Sequence, residues 1–381
     1  MNIRNRHKNK SDNVSDGASS ATINPNRPKE NVLTQQRLPA FKPTFNTKTV
    51  LPLLFGIGVV FLPIGVLVLL TSMNIKEQVI DYTDCLSASN SSIKCSDEIM
   101  NLNATERDCF CCFQFTLNET WDGEVFMYYG IEHFYQNHRR YVSSRSEDQL
   151  LGKIQDYDNG ATEDKCDPFF KDDNGTVYFP CGSIANSMFS DVIELRYEGD
   201  PVPMIRTGIA WESDKEYKFK NPPNNGTKED LMRQLQNFAK PQHWKRNLWE
   251  LDTVTKDGTG KLLNNGLDNE DLIVWMRTAA LPNFRKLYRK INHTDKFSDG
   301  LPEGKYELNI EYNFEVVSFN GRKNIVFTTQ SLLGGKNLFL GIAYIVVGSI
   351  CILLGAVFFL IHWKWGAKIL EGSRKMHDMS R

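Results

Sequence analysis

Charge disappears twice along the chain. Residues 50–72 (VLPLLFGIGVVFLPIGVLVLLTS) and 338–363 (LFLGIAYIVVGSICILLGAVFFLIHW) contain no Asp, Glu, Lys or Arg. The shorter run, at the rise of a helix, reaches about 34 Å, enough to cross the hydrocarbon of a bilayer. Globular cores do not ordinarily hold two charge-free runs above roughly 18 residues. A signal peptide has an apolar run of only about 7–15 residues, close to the N-terminus. Two transmembrane helices are therefore predicted.

Between them the pattern changes. Tyr306, Leu308, Ile310, Tyr312, Phe314 and Val316 alternate with Glu307, Asn309, Glu311, Asn313 and Glu315. That period of two predicts a strand over 306–316 with one buried and one wet face. Asn320-Gly321 followed by Ile325-Val326-Phe327-Thr328 predicts a hairpin, with Gly321 supplying the positive φ of its turn. Residues 124–131 and 177–179 read as further strands. Phe284, Leu287, Tyr288 and Ile291 fit i, i+3, i+4, i+7 and predict a helix after Pro282. Turn signals recur at Asn159-Gly160, Asn174-Gly175, Pro222-Pro223 and Asn265-Gly266. Residues 132–176 show no clean period. The expected fold class is a membrane protein with two transmembrane α-helices and a large β-rich (α+β) exoplasmic domain, its core antiparallel and β-sandwich-like.

Charge separates the segments further. Over 381 residues, 45 basic side chains balance 46 acidic ones, which excludes a strongly basic nucleic-acid binder. Cut at the spans, that balance becomes +6 in residues 1–49, −10 in 73–337 and +3 in 364–381. The positive-inside rule puts both tails in the cytosol and the middle segment outside. The expected division is a cytosolic tail 1–49, a first span 50–72, an exoplasmic domain 73–337, a second span 338–363 and a cytosolic tail 364–381. Trp363 and Trp365, around Lys364, read as an interfacial anchor. The first tail is polar, carries Pro25, Pro28, Pro39 and Pro43, and is expected to be extended or flexible. Its stretch QQRLPAFKP, 35–43, reads as a linker near anionic lipid or a docking segment, with Arg37, Leu38, Pro39 and Phe41 as candidate contacts.

Seven of the eight cysteines lie in the middle segment. Cys85, Cys95, Cys109, Cys111 and Cys112 are clustered, and Cys166 and Cys181 form a second pair. An oxidising compartment makes these disulfides. A zinc site would want a two-residue gap and a nearby histidine, which Cys109-Phe110-Cys111-Cys112 lacks. Seven is odd, so one thiol is free or bonded outside the chain. Cys351, mid-span, reads as an inert small hydrophobe. The N-x-[ST] sequons of the segment are Asn90, Asn103, Asn118, Asn174, Asn225 and Asn292, open to glycosylation if it is exoplasmic. Asn9 and Asn13 lie in the tail.

No catalytic constellation emerges. There is no G-x-x-x-x-G-K-[ST], G-x-S-x-G or H-E-x-x-H. Lys256-Asp257-Gly258-Thr259-Gly260 holds the letters of an aspartyl-phosphate motif in the wrong order and reads as an exposed turn. His133, His138, His243 and His293 read as core or surface residues. The acidic run 264–271 lacks the D-x-[DN]-x-[DN]-G spacing of a calcium loop. Basic residues at 277, 285, 286, 289 and 290 read as a solvated helix face, with lipid headgroups as the sharper alternative. No metal, cofactor or enzymatic activity is expected. In the second span Gly341, Gly348 and Gly355 recur every seven residues and so line one face. Such a face admits another helix closely, either the first span or a larger partner. Gly56, Gly58 and Gly65 do the same for the first span, where Pro63 should bend the helix.

Specific strings then carry a resemblance. QQRLPAFKP (35–43), TVLPLLFGIG (49–58), IDYTDC (80–85), VFMYYG (125–130), FYQNHRRYV (134–142) and PCGSIANSMFSD (180–191) occur in order. GIAWESD (208–214), NPP (221–223), NEDLIVWMRTAALPNFRKLYR (269–289) and GGKNLFLGIAYIVVGSI (334–350) follow. From about residue 33 to 363 the chain resembles the cell division control protein 50 (ligand-effect modulator) family, accessory β-subunits of type IV P-type ATPases, the phospholipid flippases. The resemblance implies a glycosylated, disulfide-tied ectodomain in a heterodimer with the ATPase catalytic subunit, surrounded by membrane lipids. It implies assistance to complex assembly, exit from the endoplasmic reticulum and the transport cycle, with a final address in the endoplasmic reticulum, Golgi/endosomes or plasma membrane. It also implies the bridges Cys85–Cys111, Cys95–Cys109 and Cys166–Cys181, with Cys112 an alternative to Cys111. Partner contacts are expected from 35–43, the ectodomain and Gly341, Gly348 and Gly355. The rival classes are a two-span receptor or adhesion protein without an ATPase partner, and an anchored ectoenzyme.

Overall fold

The computed structural model describes residues 32–33, 38, 46–89, 92–101, 109–154, 160–223, 225–331 and 333–379. The chain divides into two compact units, residues 55–354 and the residues flanking them. The first long helix, Thr47–Met73, starts ahead of its apolar run because Asn46 and Thr49 cap it reciprocally. The Thr49 amide donates to Asn46 Oδ1 at 3.1 Å, and the Asn46 amide to Thr49 Oγ1 at 3.3 Å. The second, Leu338–Met379, continues well past the apolar run into the stretch expected to be a tail. Both helices are long and apolar enough to cross a membrane.

The strands between them are β1 (Glu77–Asp81), β2 (Cys109–Leu117), β3 (Trp121–Asp122), β4 (Val125–Glu132), β5 (Val192–Tyr197) and β6 (Asp200–Pro201). Then come β7 (Met204–Ile205), β8 (Phe284–Ile291), β9 (Gly300–Leu301), β10 (Gly304–Tyr312) and β11 (Arg322–Thr329). One sheet runs β1-β11-β4-β8-β7, a second runs β2-β10-β5-β6, and β3 pairs β9. Every pairing of these strands is antiparallel. The two larger sheets share one apolar core, across which Phe115 of β2 stacks on Phe327 of β11 at 5.6 Å. β1 follows the first long helix and β11 precedes the second, and they pair from Glu77↔Thr328 to Asp81↔Asn324. That pairing joins segments some 250 residues apart and brings the two helices out at one place. There Ser72 Oγ accepts from the Asn337 amide at 2.8 Å.

Four local expectations change. The strand of 306–316 is β10 and stops at Tyr312, although buried positions go on alternating to Val316. The amides of Asn313 and Phe314 donate to the Asp191 carboxylate, both at 2.6 Å, instead of to a neighbouring strand. The hairpin does not form, because β10 and β11 belong to different sheets and 313–321 carries the chain between layers. The positive φ, 55°, belongs to Asn320 and not to Gly321. Gly321 is needed for space, since a Cβ there would meet the Phe319 ring at 2.3 Å and Glu132 O at 3.0 Å. The expected helix at 284–291 is strand β8. It pairs with β4 and β7, is covered on both faces, and so has no clean alternation for sequence to report. Residues 177–179 make only isolated bridges, to Lys171 and Ala239.

The disulfides are Cys85–Cys111, Cys95–Cys109 and Cys166–Cys181. Strand parity selects Cys111 over Cys112. Cys109 and Cys111 of β2 face the core, whereas Cys112 points the other way and is an exposed free thiol. Cys166–Cys181 holds a small satellite cluster with Phe170 and Val177.

Candidate functional site

The glycine face of the second long helix is spent within the chain. A Cβ on Gly341 would meet the Leu69 backbone at 2.9 Å, and one on Gly348 would meet Leu62 N at 3.2 Å. From the other side, Gly58 sits against Ile352 and Gly65 against the Ile345 amide, while Phe61 and Tyr344 meet edge-to-face at 5.0 Å. Gly341 and Gly348 therefore face the first helix, and Gly355 is buried. The β1–β11 pairing holds the two helices side by side, so each is the other's nearest neighbour. What they leave exposed is the opposite faces, with Val59, Val66 and Leu67 on one and Ile342, Val346 and Ile350 on the other. Of the 35–43 stretch, Leu38 is exposed, while Arg37, Pro39 and Phe41 lie outside the described residues.

The acidic run 264–271 holds no open loop of carboxylates. Asn264, Asn265 and Asn269 are buried and hydrogen-bonded. Asn269 caps the helix Glu270–Met276, its Oδ1 accepting from the Leu272 amide at 3.0 Å. Glu270, also buried, accepts from the amides of Ile209 at 2.7 Å and Ala210 at 2.9 Å and from Lys215 Nζ at 2.9 Å. Burial pushes the Glu270 carboxyl up, but these donors outweigh it and hold it below the usual carboxylate range. Asp214 resembles it: burial opposes, and Lys218 and Arg277 win. Arg277 also lies over the exposed Trp211 ring at 4.5 Å.

The basic stretch is solvated only in part: Arg277 and Arg285 are exposed. Lys286 and Arg289 are buried because they sit on β8 rather than on a surface helix. Lys286 donates to the carbonyls of Val274 (3.0 Å), Trp275 (2.6 Å) and Arg277 (2.8 Å), closing the negative end of the helix Glu270–Met276. Burial pulls its ammonium well below the usual lysine range. Arg289 grips Asp271, with Nη2 to Oδ2 at 3.1 Å. Between the sheets, Lys323 and Asp191 are fully buried and 2.6 Å apart, and Tyr82 donates to the same carboxylate oxygen at 2.8 Å. Burial pulls the Lys323 ammonium down to about 8, against the attraction of Asp191. Sequence periodicity missed these groups, because charged residues on a short strand read as solvent-facing.

The chemistry of catalysis is not assembled from the candidates. His133, His243 and His293 spend ring nitrogens on Asn320 O, the Asn186 side chain and Phe297 O. Two cysteine clusters bring potential metal ligands together, but their sulfurs are disulfide sulfurs with no thiolate to offer. Asp257 accepts from Thr259 and Lys261 in an exposed turn. Among the sequons, Asn118, Asn174 and Asn225 are exposed and Asn292 is half-buried. Asn90 and Asn103 lie outside the described residues.

Residues 68–368 match the model of the LEM3 (ligand-effect modulator 3) family / CDC50 family. The chain belongs to this family. It is 46% identical to mouse (Mus musculus) "Cell cycle control protein 50A" over 346 residues, covering 89% of this chain and 90% of that protein. "Cell cycle control protein 50B" of Homo sapiens is 40% identical, with 89% and 94% covered. "ALA-interacting subunit 3" of Arabidopsis thaliana is 37% identical, with 91% and 89% covered. The strings that carried the family resemblance pack on one another. Trp275 Nε1 donates to Ile184 O at 2.7 Å, the Ala279 amide to Gln136 Oε1 at 2.9 Å, and Tyr141 pairs with Ser187 at 2.8 Å. Together with the Glu270 cluster they form a layer against the five-stranded sheet.

Proposed function

We propose that this protein is a non-catalytic accessory subunit of a phospholipid-translocating P-type ATPase of type IV. The carrying observation is the match over about nine-tenths of the chain to relatives of which one is named an interacting subunit. Hydrophobic helix faces left exposed beside a rigid ectodomain suit a membrane partner. The subunit supports assembly of the complex, its exit from the endoplasmic reticulum and its transport cycle. It does so by binding some conformations of the ATPase better than others, which shifts their populations. The segment charges support cytosolic tails and an exoplasmic domain glycosylated at Asn90, Asn103, Asn118, Asn174, Asn225 and Asn292. Residues 35–43 and the outer helix faces are the proposed contacts within and below the membrane. Affinity isolation from native membranes in mild detergent, with mass spectrometry of what co-purifies, tests this reading. An ATPase of many spans is expected at one-to-one; recovery of the chain without one would overturn it.

A further inference from the structure

A cavity of about 210 Å³ opens where the β8 edge of one sheet, the start of β5 and the segment 244–251 meet. Its acids are all committed: Asp191 to Lys323 and Tyr82, Asp271 to Arg289, and Glu311 to Lys245 at 3.3 Å. Arg206 and Arg246 also line it, and neither guanidinium has an ion pair or hydrogen bond among the described residues. Two guanidinia without such a partner, drawn from distant segments, meet at one cavity. They do so in a segment whose net charge is −10. An anion there would supply the partner they lack, because a guanidinium matches the geometry of a carboxylate or phosphate. The aromatic wall is rigid. Trp244 Nε1 donates to Ala185 O at 2.7 Å, and Tyr288 accepts from the Ile193 amide at 3.1 Å.

We propose that this cavity binds a compact oxyanion, a carboxylate- or phosphate-bearing molecule whose body rests against Trp244 and Tyr288. Its volume is below the roughly 300 Å³ at which drug-sized ligand pockets begin, so the ligand is small. Position excludes a lipid headgroup. Asp191 is bonded to Lys323, which stands six residues up β11 from Thr329 at the helix-proximal end. At the rise of a strand that is about 20 Å from where the long helices leave the sheet. The anion therefore comes from the aqueous phase.

The test is thermal unfolding of the purified full chain in detergent, with inorganic phosphate and with citrate, each against chloride at equal ionic strength. At tenfold the dissociation constant a saturable rise of about 3 °C is expected. The double variant Arg206→Ala/Arg246→Ala should keep the chloride midpoint and lose the rise. An equal rise in that variant would be a general salt effect and overturns the site, as does no rise in the native chain. A third arm isolates the double variant from native membranes. Loss of a co-purifying ATPase there, together with no response of the native chain to either free anion, would reassign the two arginines to a partner-borne carboxylate and overturn the proposal. Anion binding by a chain that recovers no ATPase would leave the proposal standing while the accessory-subunit reading fell.

Discussion

Lys323 sits in the core with no exposure, and every group around it has a stake in its charge. Asp191 pairs with the ammonium and also accepts from the Asn313 and Phe314 amides, while Tyr312 presents its ring face at 3.1 Å. Removing one member strands the others. Lys323→Met should cost about 3–5 kcal/mol in unfolding free energy, and Asp191→Asn in the same chain should recover part of it. Comparing the thermal unfolding of the two variants checks this. Glu270 makes a prediction about pH. Its folded-state pKa lies below its ordinary 4.5, so in acid the unfolded state binds the extra proton. Its stabilisation is present above about pH 4.5 and is lost as pH falls through the folded value. Glu270→Gln should unfold at lower temperature at pH 7 and show a shallower fall between about pH 5 and 3. None of these roles was legible from composition. A lysine in KNIVF or an asparagine in NNGLDNED looks solvent-facing until the residues far along the chain that pair with it are known.

Among the elements, the two long helices were the most legible, since each declares itself by length and lack of charge. Their mutual contact was not. Heptad-spaced glycines specify a close approach without naming what approaches, and the β1–β11 pairing supplies the answer. Gly341→Leu should push the helices apart at Leu69, because the obstacle is backbone. Cysteines placed on the facing sides, near Gly65 and Ile345, should cross-link readily in the native sequence and poorly beside Gly341→Leu. The satellite cluster makes a second prediction. The Cys166–Cys181 bridge closes a loop of 15 residues, worth about 3 kcal/mol in the chain-entropy account. Cys166→Ser/Cys181→Ser should lower stability by that order and make 166–181 the first site of limited proteolysis, read by peptide mapping. Strand β10 was legible because only its inner face is buried. Strand β8 was not, since both its faces are covered and its apolar positions mimic helical spacing.

For the molecule as a whole, the near-neutral total conceals tails of +6 and +3 around a middle of −10. The proposed orientation makes Cys112 an exoplasmic thiol, the exposed one of the two free cysteines. A membrane-impermeant maleimide should label intact cells through Cys112 and not after Cys112→Ser. Burial and the neighbouring Glu307 push that thiol up, so labelling should be faster above pH 8. Glycosidase treatment should shorten the apparent mass in steps removed by Asn→Gln at the six middle sequons, with Asn9 and Asn13 contributing nothing.

Local sequence was enough for whatever depends on a residue's immediate neighbours. The length of each apolar run, its loss of charge, the alternation along 306–312 and the opposite facing of Cys111 and Cys112 are set by the rise and period of the backbone alone. Which sheet β11 joins, why 284–291 is extended, what Gly341 touches and where Lys286, Glu270 and Lys323 find their partners depend on segments tens to hundreds of residues away. Those contacts are decided by shape and by pairing buried charge when the layers close, and a one-dimensional pattern records only that a position is covered, never by what.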